Sequence, residues 1–177
     1  MGYLLGLDIG TSAVKALLLK SSGQVVGSVN VEYPLYSPRP GWSEQNPEDM
    51  WQATVEAIRN VLVKFNVSGE SIRGIGLSGQ MHSSVFLDAD YEVIRPAILW
   101  NDVRTSAQCR LIEEMVDPHI LHSEVCNPVL EGFTLPKVLW LREHEPENYE
   151  RLRWLVLPKD YVRFRLTGNV HMEVSDA

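Results

Sequence analysis

Two apolar runs of strand length, Tyr3 to Asp8 and Ala13 to Leu19, are separated only by the short turn around Gly10. A connection of that length reverses the chain but cannot hold a crossover helix, so the two runs are expected to pair antiparallel. A third run, Val25 to Tyr33, follows the turn Ser21-Ser22-Gly23 and extends the pair to a three-stranded meander. The first turn also has a chemistry. In Asp8-Ile9-Gly10-Thr11-Ser12, Gly10 lets the backbone approach an anion, Thr11 and Ser12 offer hydroxyl and N–H donors, and Asp8 can hold a metal ion. The combination suits the phosphates of ATP. An ordinary hairpin that uses its glycine only for positive φ would read the same way, and the turn alone does not decide between them.

Beyond the meander, Pro34 to Asn46 carries Pro34, Pro38, Pro40 and Gly41 and is expected to be an extended surface loop. Asn46 as cap, Pro47 in the first turn, Glu48 and Asp49 at the positive end, and Trp51, Val55, Ile58, Leu62 and Phe65 at helical spacing predict a helix over about 47–66. Strands are predicted at Ile72 to Ser78, Ser84 to Leu87, Ala97 to Trp100 and Trp154 to Leu157. Helices are predicted from a Thr105 cap through Met115, at Leu135 to Glu143, and at Asp160 to Leu166 before Gly168. The class is α/β with strands in mixed directions.

The chain has 177 residues, 45% of them apolar, enough for the core of one compact unit. A net charge of −7 with singly scattered basic residues disfavours nucleic acid and membrane surfaces as partners and leaves a small polar ligand. No apolar run approaches the roughly 20 residues of a membrane span and no signal peptide is visible, so a cytoplasmic location is expected. Cys109 and Cys126, isolated from each other, read as small buried hydrophobes. His119 and His122 lack further ligands at zinc spacing and read as surface residues.

Gly74-Ile75-Gly76-Leu77-Ser78-Gly79 matches the dinucleotide pattern letter for letter, yet its glycines lie within the strand and no convincing helix follows, so NAD binding is rejected. The small residues are instead expected to leave room for Gln80, Met81 and His82 to line a cavity with an amide, an apolar wall and a polar ring. Taken without other support, a satisfied loop histidine is the plainer reading of His82. Trp100, Asn101 and Asp102 combine a flat apolar face with an amide and a carboxylate, as sugar sites do, or else a core Trp beside a helix cap. Gly41-Trp42-Ser43-Glu44-Gln45 offers a similar mixture, although Glu44-Gln45 could be capping material for the Asn46 helix. Lys159 and Asp160 read as a strand-to-helix connection rather than a site.

As an ordered set, Asp8-Ile9-Gly10-Thr11-Ser12, Trp42-Ser43-Glu44-Gln45, Gly79-Gln80-Met81-His82, Ile98-Leu99-Trp100-Asn101-Asp102, Gly132-Phe133-Thr134, Pro136-Lys137 and Leu157-Pro158-Lys159-Asp160-Tyr161 resemble the FGGY carbohydrate kinases nearly end to end. The resemblance implies a ribonuclease-H-like fold related to actin and hexokinase, with a mixed sheet. In that family two such domains hold mainly sugar and mainly ATP, respectively. It implies ATP and Mg²⁺, with Asp8 acting at the metal and the transferring phosphate and Gly10, Thr11 and Ser12 lining the phosphate turn. Gln80, Met81, His82, Trp100, Asn101 and Asp102 would face the sugar. Gln80-Met81-His82 and Arg95 to Asp102 resemble the branch acting on D-xylulose, while L-ribulose, glycerol and a non-catalytic sugar-binding module remain as alternatives. The family is far longer, so residues 1–177 are expected to be an incomplete N-terminal sugar-binding domain without turnover of its own. Its catalytic base would lie beyond Ala177, since neither Asp160 nor Asp176 matches the family's motif. A cut through such a domain would expose a sheet edge, which leaves a homodimer open.

Overall fold

In chain order the elements are β1 (Tyr3–Ile9), β2 (Ala13–Lys20), β3 (Val25–Glu32), β4 (Glu44–Gln45), α1 (Pro47–Lys64), β5 (Ile72–Gly79), β6 (Val85–Leu87), β7 (Ala97–Ile98), α2 (Ser106–Met115), α3 (Pro118–Ile120), α4 (Thr134–His144), α5 (Pro146–Arg151), β8 (Trp154–Val156) and α6 (Pro158–Thr167). They come from a computed structural model that describes residues 2–172 and 174; Ser175, Asp176 and Ala177 lie outside the described residues. Where length alone suggested one unit, the contacts divide the chain into two. Unit 1 is Met1–Leu35, Asn46–Met81 and Leu157–Ala177, and unit 2 is Tyr36–Gln45 with His82–Val156. The physical reason is that unit 2 has its own apolar centre, Phe86, Ile98, Trp140 and Leu141, with Trp42, Val138 and Leu155 packed around it.

Unit 1 is a four-stranded sheet in the order β3-β2-β1-β5, the meander antiparallel as expected and β5 parallel to β1. Alternation gives β1 and β2 one apolar face, Leu5, Leu7, Ile9, Val14, Ala16 and Leu18, all buried. Against it α1 sets Met50, Ala53, Thr54, Ala57 and Val61. The Asn46 side chain accepts from the Glu48 N–H at 3.0 Å, and Pro47 fits the first turn where an N–H has no partner. α6 begins two residues earlier than expected, at Pro158, and ends at Gly168, whose φ of 73° allows the left-handed C-terminal turn. Arg165 ties α6 to α1 by pairing with Glu48 and lying 4.8 Å above the Trp51 ring.

In unit 2 the expected surface loop over 34–46 proves different at its end. Ser43, Glu44 and Gln45 are buried, and β4 pairs antiparallel with β7 through Glu44↔Ile98 and Gln45↔Ala97. Two residues suffice because their backbone groups and the Glu44 carboxylate all find partners on the unit. Thr105 stands at the N-cap of α2 as expected, but its side chain makes no capping bond; its hydroxyl donates to the Glu131 carbonyl at 3.0 Å. Cys109 is buried as expected, whereas Cys126 is exposed in a left-handed turn with φ of 56°.

Candidate active site

In unit 1 the parallel pairing of β1 and β5 brings Asp8 beside Ser78 and Ile9 beside Gly79, so the turn after β1 and the segment Gln80-Met81 leave from the same end of the sheet. Carboxyl ends of parallel strands are where α/β sheets place ligands. Asp8 lies on the sheet face turned away from α1. It is exposed, opposite Lys15 on β2, and accepts from the Ser78 hydroxyl at 3.2 Å. Gly6, Gly76, Leu17, Lys15 and Ser78 line a groove of about 310 Å³ that includes Asp8. Gly76 leaves this groove open, since a Cβ there would meet nothing within 4 Å.

Gly10 is not among the residues with positive φ; a Cβ there would lie 3.1 Å from the Ala13 carbonyl oxygen, so the close turn itself favours glycine. Gly10 donates to the Ala13 carbonyl at 3.1 Å, and its own carbonyl accepts from the Tyr33 hydroxyl and from Gln80 Nε2 at 3.4 Å. Burial raises the Tyr33 phenol far above its usual range, the Gln80 bond pulls it back somewhat, and Asp8 raises it further, so Tyr33 stays a donor. Gln80, expected to line a cavity, ties the turn after β1 to the exit of β5 through its side chain. Met81, half exposed, follows it.

His82 opens unit 2. Its ring lies on Phe133 with centroids 4.3 Å apart, and the next residue, Ser83, accepts from the Trp100 N–H at 3.0 Å. The Gly132 backbone approaches Trp100 so closely that a Cβ would sit 2.3 Å from the Trp100 carbonyl oxygen. His82, Trp100 and Phe133 are therefore gathered by neighbouring backbones. Trp100 is 45% exposed and Asn101 exposed, so both stand at the surface rather than filling the core.

Asp102 has another task. Its Oδ2 accepts from the Ser43 N–H at 2.6 Å and from Arg104 at 2.7 Å, and its Oδ1 from the Arg104 N–H and Nε at 2.9 Å each. Both oxygens are engaged, so this carboxylate orders the turn that presents Trp100 and Asn101. Arg104 also pairs with Glu44 at 2.7 Å and lies 3.7 Å from the Trp42 ring centre, and Arg95 joins Glu44 to Glu145. The Trp42-Ser43-Glu44 motif is thus the scaffold under the turn.

Lys137 belongs to the motif set through Pro136-Lys137, but no role is legible for it in the sequence; in the structure its side chain is fully buried and Nζ donates to the carbonyls of His82 at 2.7 Å and Gly132 at 2.6 Å. Burial lowers its pKa to about 7, opposed by Asp102 and aided by Arg104. The neutral amine keeps two N–H groups for the two carbonyls. Above pH 7 the folded chain has released a proton that the unfolded chain holds until about 10.4, so stability rises with pH between these values. The urea midpoint of wild type is expected to climb from pH 7 to 10 and that of Lys137→Met to lack this rise; equal slopes would mean the folded amine stays charged.

The antiparallel meander with β5 added parallel to β1, and the helices packed on it, define a ribonuclease-H-like α/β fold with a mixed sheet. The sequence model of the FGGY family of carbohydrate kinases, N-terminal domain, matches residues 3–177, and the chain belongs to that family. It is 51% identical over 177 residues to the xylulose kinase of Bacillus subtilis (strain 168), covering 100% of this chain and 35% of that protein. A ligand-bound xylulose kinase from Lactobacillus acidophilus superposes with a TM-score of 0.88 at 29% identity, covering 96% of this chain and 34% of the other. A gluconate kinase from the same organism gives 0.87 at 29% identity with the same coverage, 96% and 34%. The fold therefore does not select the sugar, and the chain spans about a third of the length of these relatives. No helix among the described residues is long and apolar enough to cross a membrane.

Proposed function

We propose that these residues are the sugar-binding portion of a cytoplasmic kinase that transfers the γ-phosphate of ATP to D-xylulose, giving D-xylulose 5-phosphate. The observation that carries the reading is the shared end of β1 and β5, where Gln80 ties the phosphate turn to the chain leading into His82. Phosphoryl transfer is chiefly positioning and charge stabilisation, and the pairing of β1 with β5 holds the turn after β1 beside Gln80 within one sheet. Gly10, Thr11 and Ser12 face the phosphates. His82, Trp100 and Asn101 meet the sugar, with Met81 preceding them in the chain and Asp102 holding the Trp100 turn. The catalytic base belongs outside these 177 residues.

The donor set suits Mg²⁺ carried on phosphate. Asp8 is a single exposed carboxylate, and among the described residues no cluster of three metal-binding side chains exists. Mg²⁺ is commonly held by one or two carboxylates while phosphates and water complete its shell. Bound there, it would neutralise charge developing on the phosphate; Asp8 would hold it, and Ser78 would orient Asp8.

His82→Ala is expected to weaken D-xylulose binding about tenfold, as loss of a directed polar contact does. Saturation-transfer NMR with D-xylulose, L-ribulose, glycerol and gluconate reads this directly. Unchanged D-xylulose binding in the variant would move the sugar site elsewhere, and selective signal from another of these sugars would replace the substrate.

A further inference from the structure

His82 combines two features that do not belong together by chance. Its backbone sits at φ 61°, a conformation unfavourable for a side chain bearing a Cβ. Its carbonyl oxygen, meanwhile, accepts from three side chains: Lys137 Nζ at 2.7 Å, Thr134 Oγ1 at 3.3 Å and Ser84 Oγ at 3.4 Å. Strained residues persist where their surroundings over-determine them, and such places concentrate at functional sites. The donors are grouped. Thr134 and Lys137 both lie at the start of α4, and Phe133, which supports the His82 ring, immediately precedes that helix. The second Lys137 bond, to the Gly132 carbonyl at 2.6 Å, fastens the same amine to the residue packed against the Trp100 carbonyl. One buried side chain thus joins the His82 backbone to that of Gly132, which packs against Trp100.

We propose that Lys137, assisted by Thr134, is a positioning residue that clamps the His82 carbonyl and so presents the His82 ring to the sugar in one orientation. The proposal rests on His82 being a sugar contact. Lys137 itself touches no substrate; it acts through the main chain of its neighbours. A buried lysine whose Nζ bonds go to main-chain carbonyls is a costly device for packing alone, since an apolar side chain of the same length would fill the volume without desolvating an amine.

The test compares wild type, Lys137→Met and Thr134→Val in the full-length protein carrying this chain, with ¹³C-labelled histidine and D-xylulose as the probe. Thr134→Val removes one donor with little change of shape. It is expected to stay folded, displace and broaden the His82 ring signal, and raise KM for D-xylulose about two- to fivefold. Lys137→Met is expected to raise KM about tenfold or more while kcat holds within about threefold, the pattern of lost ground-state positioning. The Phe86 and Trp140 signals, read in samples carrying ¹³C-labelled phenylalanine and tryptophan, should stay in place in both. Folded variants that keep the wild-type His82 signal and KM overturn the clamp, and if Lys137→Met fails to fold, Thr134→Val decides it alone. Should wild type leave D-xylulose unphosphorylated while the His82 signal moves in the variants, the sugar assignment falls and the clamp stands.

Discussion

Arg104→Met is expected to destabilise the protein by about 3–5 kcal/mol, the range found when one member of a buried ionic group is removed. The Arg104 side chain is 1% exposed, and its guanidinium reaches Asp102 and Glu44 while lying over Trp42 and Trp140. Without it two carboxylates remain in the interior facing each other, with Arg95 left to neutralise Glu44. A surface pair would lose about 0–1 kcal/mol, so the two cases separate easily. Urea unfolding followed by tryptophan fluorescence gives the number, since Trp42 carries the guanidinium on its face. The charge argument has its own control. Arg104→Met combined with Asp102→Leu removes a charge of each sign and should be less destabilised than the sum of the two single changes. A loss under about 1 kcal/mol for Arg104→Met would show that water reaches the cluster and that the Trp100 turn is held by other means.

The same cluster shows where sequence reading stops. α1 was legible because cap, proline, acidic first turn and apolar spacing all point to one answer within twenty residues, and the meander because its turns are too short for any other pairing. β4 was not, because a two-residue strand has no period and its partner, Ile98, lies more than fifty positions away. Asp102 was legible as a polar group at a strand exit but not in its task, which depends on Ser43, brought to it across 59 residues. Lys137 was hidden for a related reason: nothing local distinguishes a lysine facing water from one facing two carbonyls, and only the approach of the His82 and Gly132 backbones creates its partners. α3 and α5 are too short to show a helical period at all. Asp8, Gly10 and His82 could be singled out as candidates from local motifs, but their partners, Ser78 for Asp8, Tyr33 and Gln80 for Gly10, and Phe133 and Lys137 for His82, lie far along the chain and were not legible.

In the full-length protein, Asp8→Asn is expected to lower kcat for D-xylulose phosphorylation by about 10²–10³-fold, the usual cost of losing one group aimed at charge in the transition state. KM for D-xylulose should change little, because the role proposed for Asp8 is at the phosphate rather than the sugar. The substitution is informative because the carboxylate has so little structural employment. It is exposed and accepts one hydrogen bond, 3.2 Å from the Ser78 hydroxyl, which an Asn side-chain oxygen can also accept. Stability should therefore stay within about 0.5 kcal/mol of wild type, as for surface changes generally. Asn lacks the negative charge by which, in the proposed role, Asp8 would hold Mg²⁺, so on that reading the Mg²⁺ concentration giving half-maximal rate should rise in the variant. Coupled ADP-release kinetics at several Mg²⁺ concentrations measure both effects. Retention of kcat within tenfold, with the same Mg²⁺ dependence, would remove Asp8 from the phosphate site and leave the turn after β1 as a structural reversal anchored by Tyr33 and Gln80.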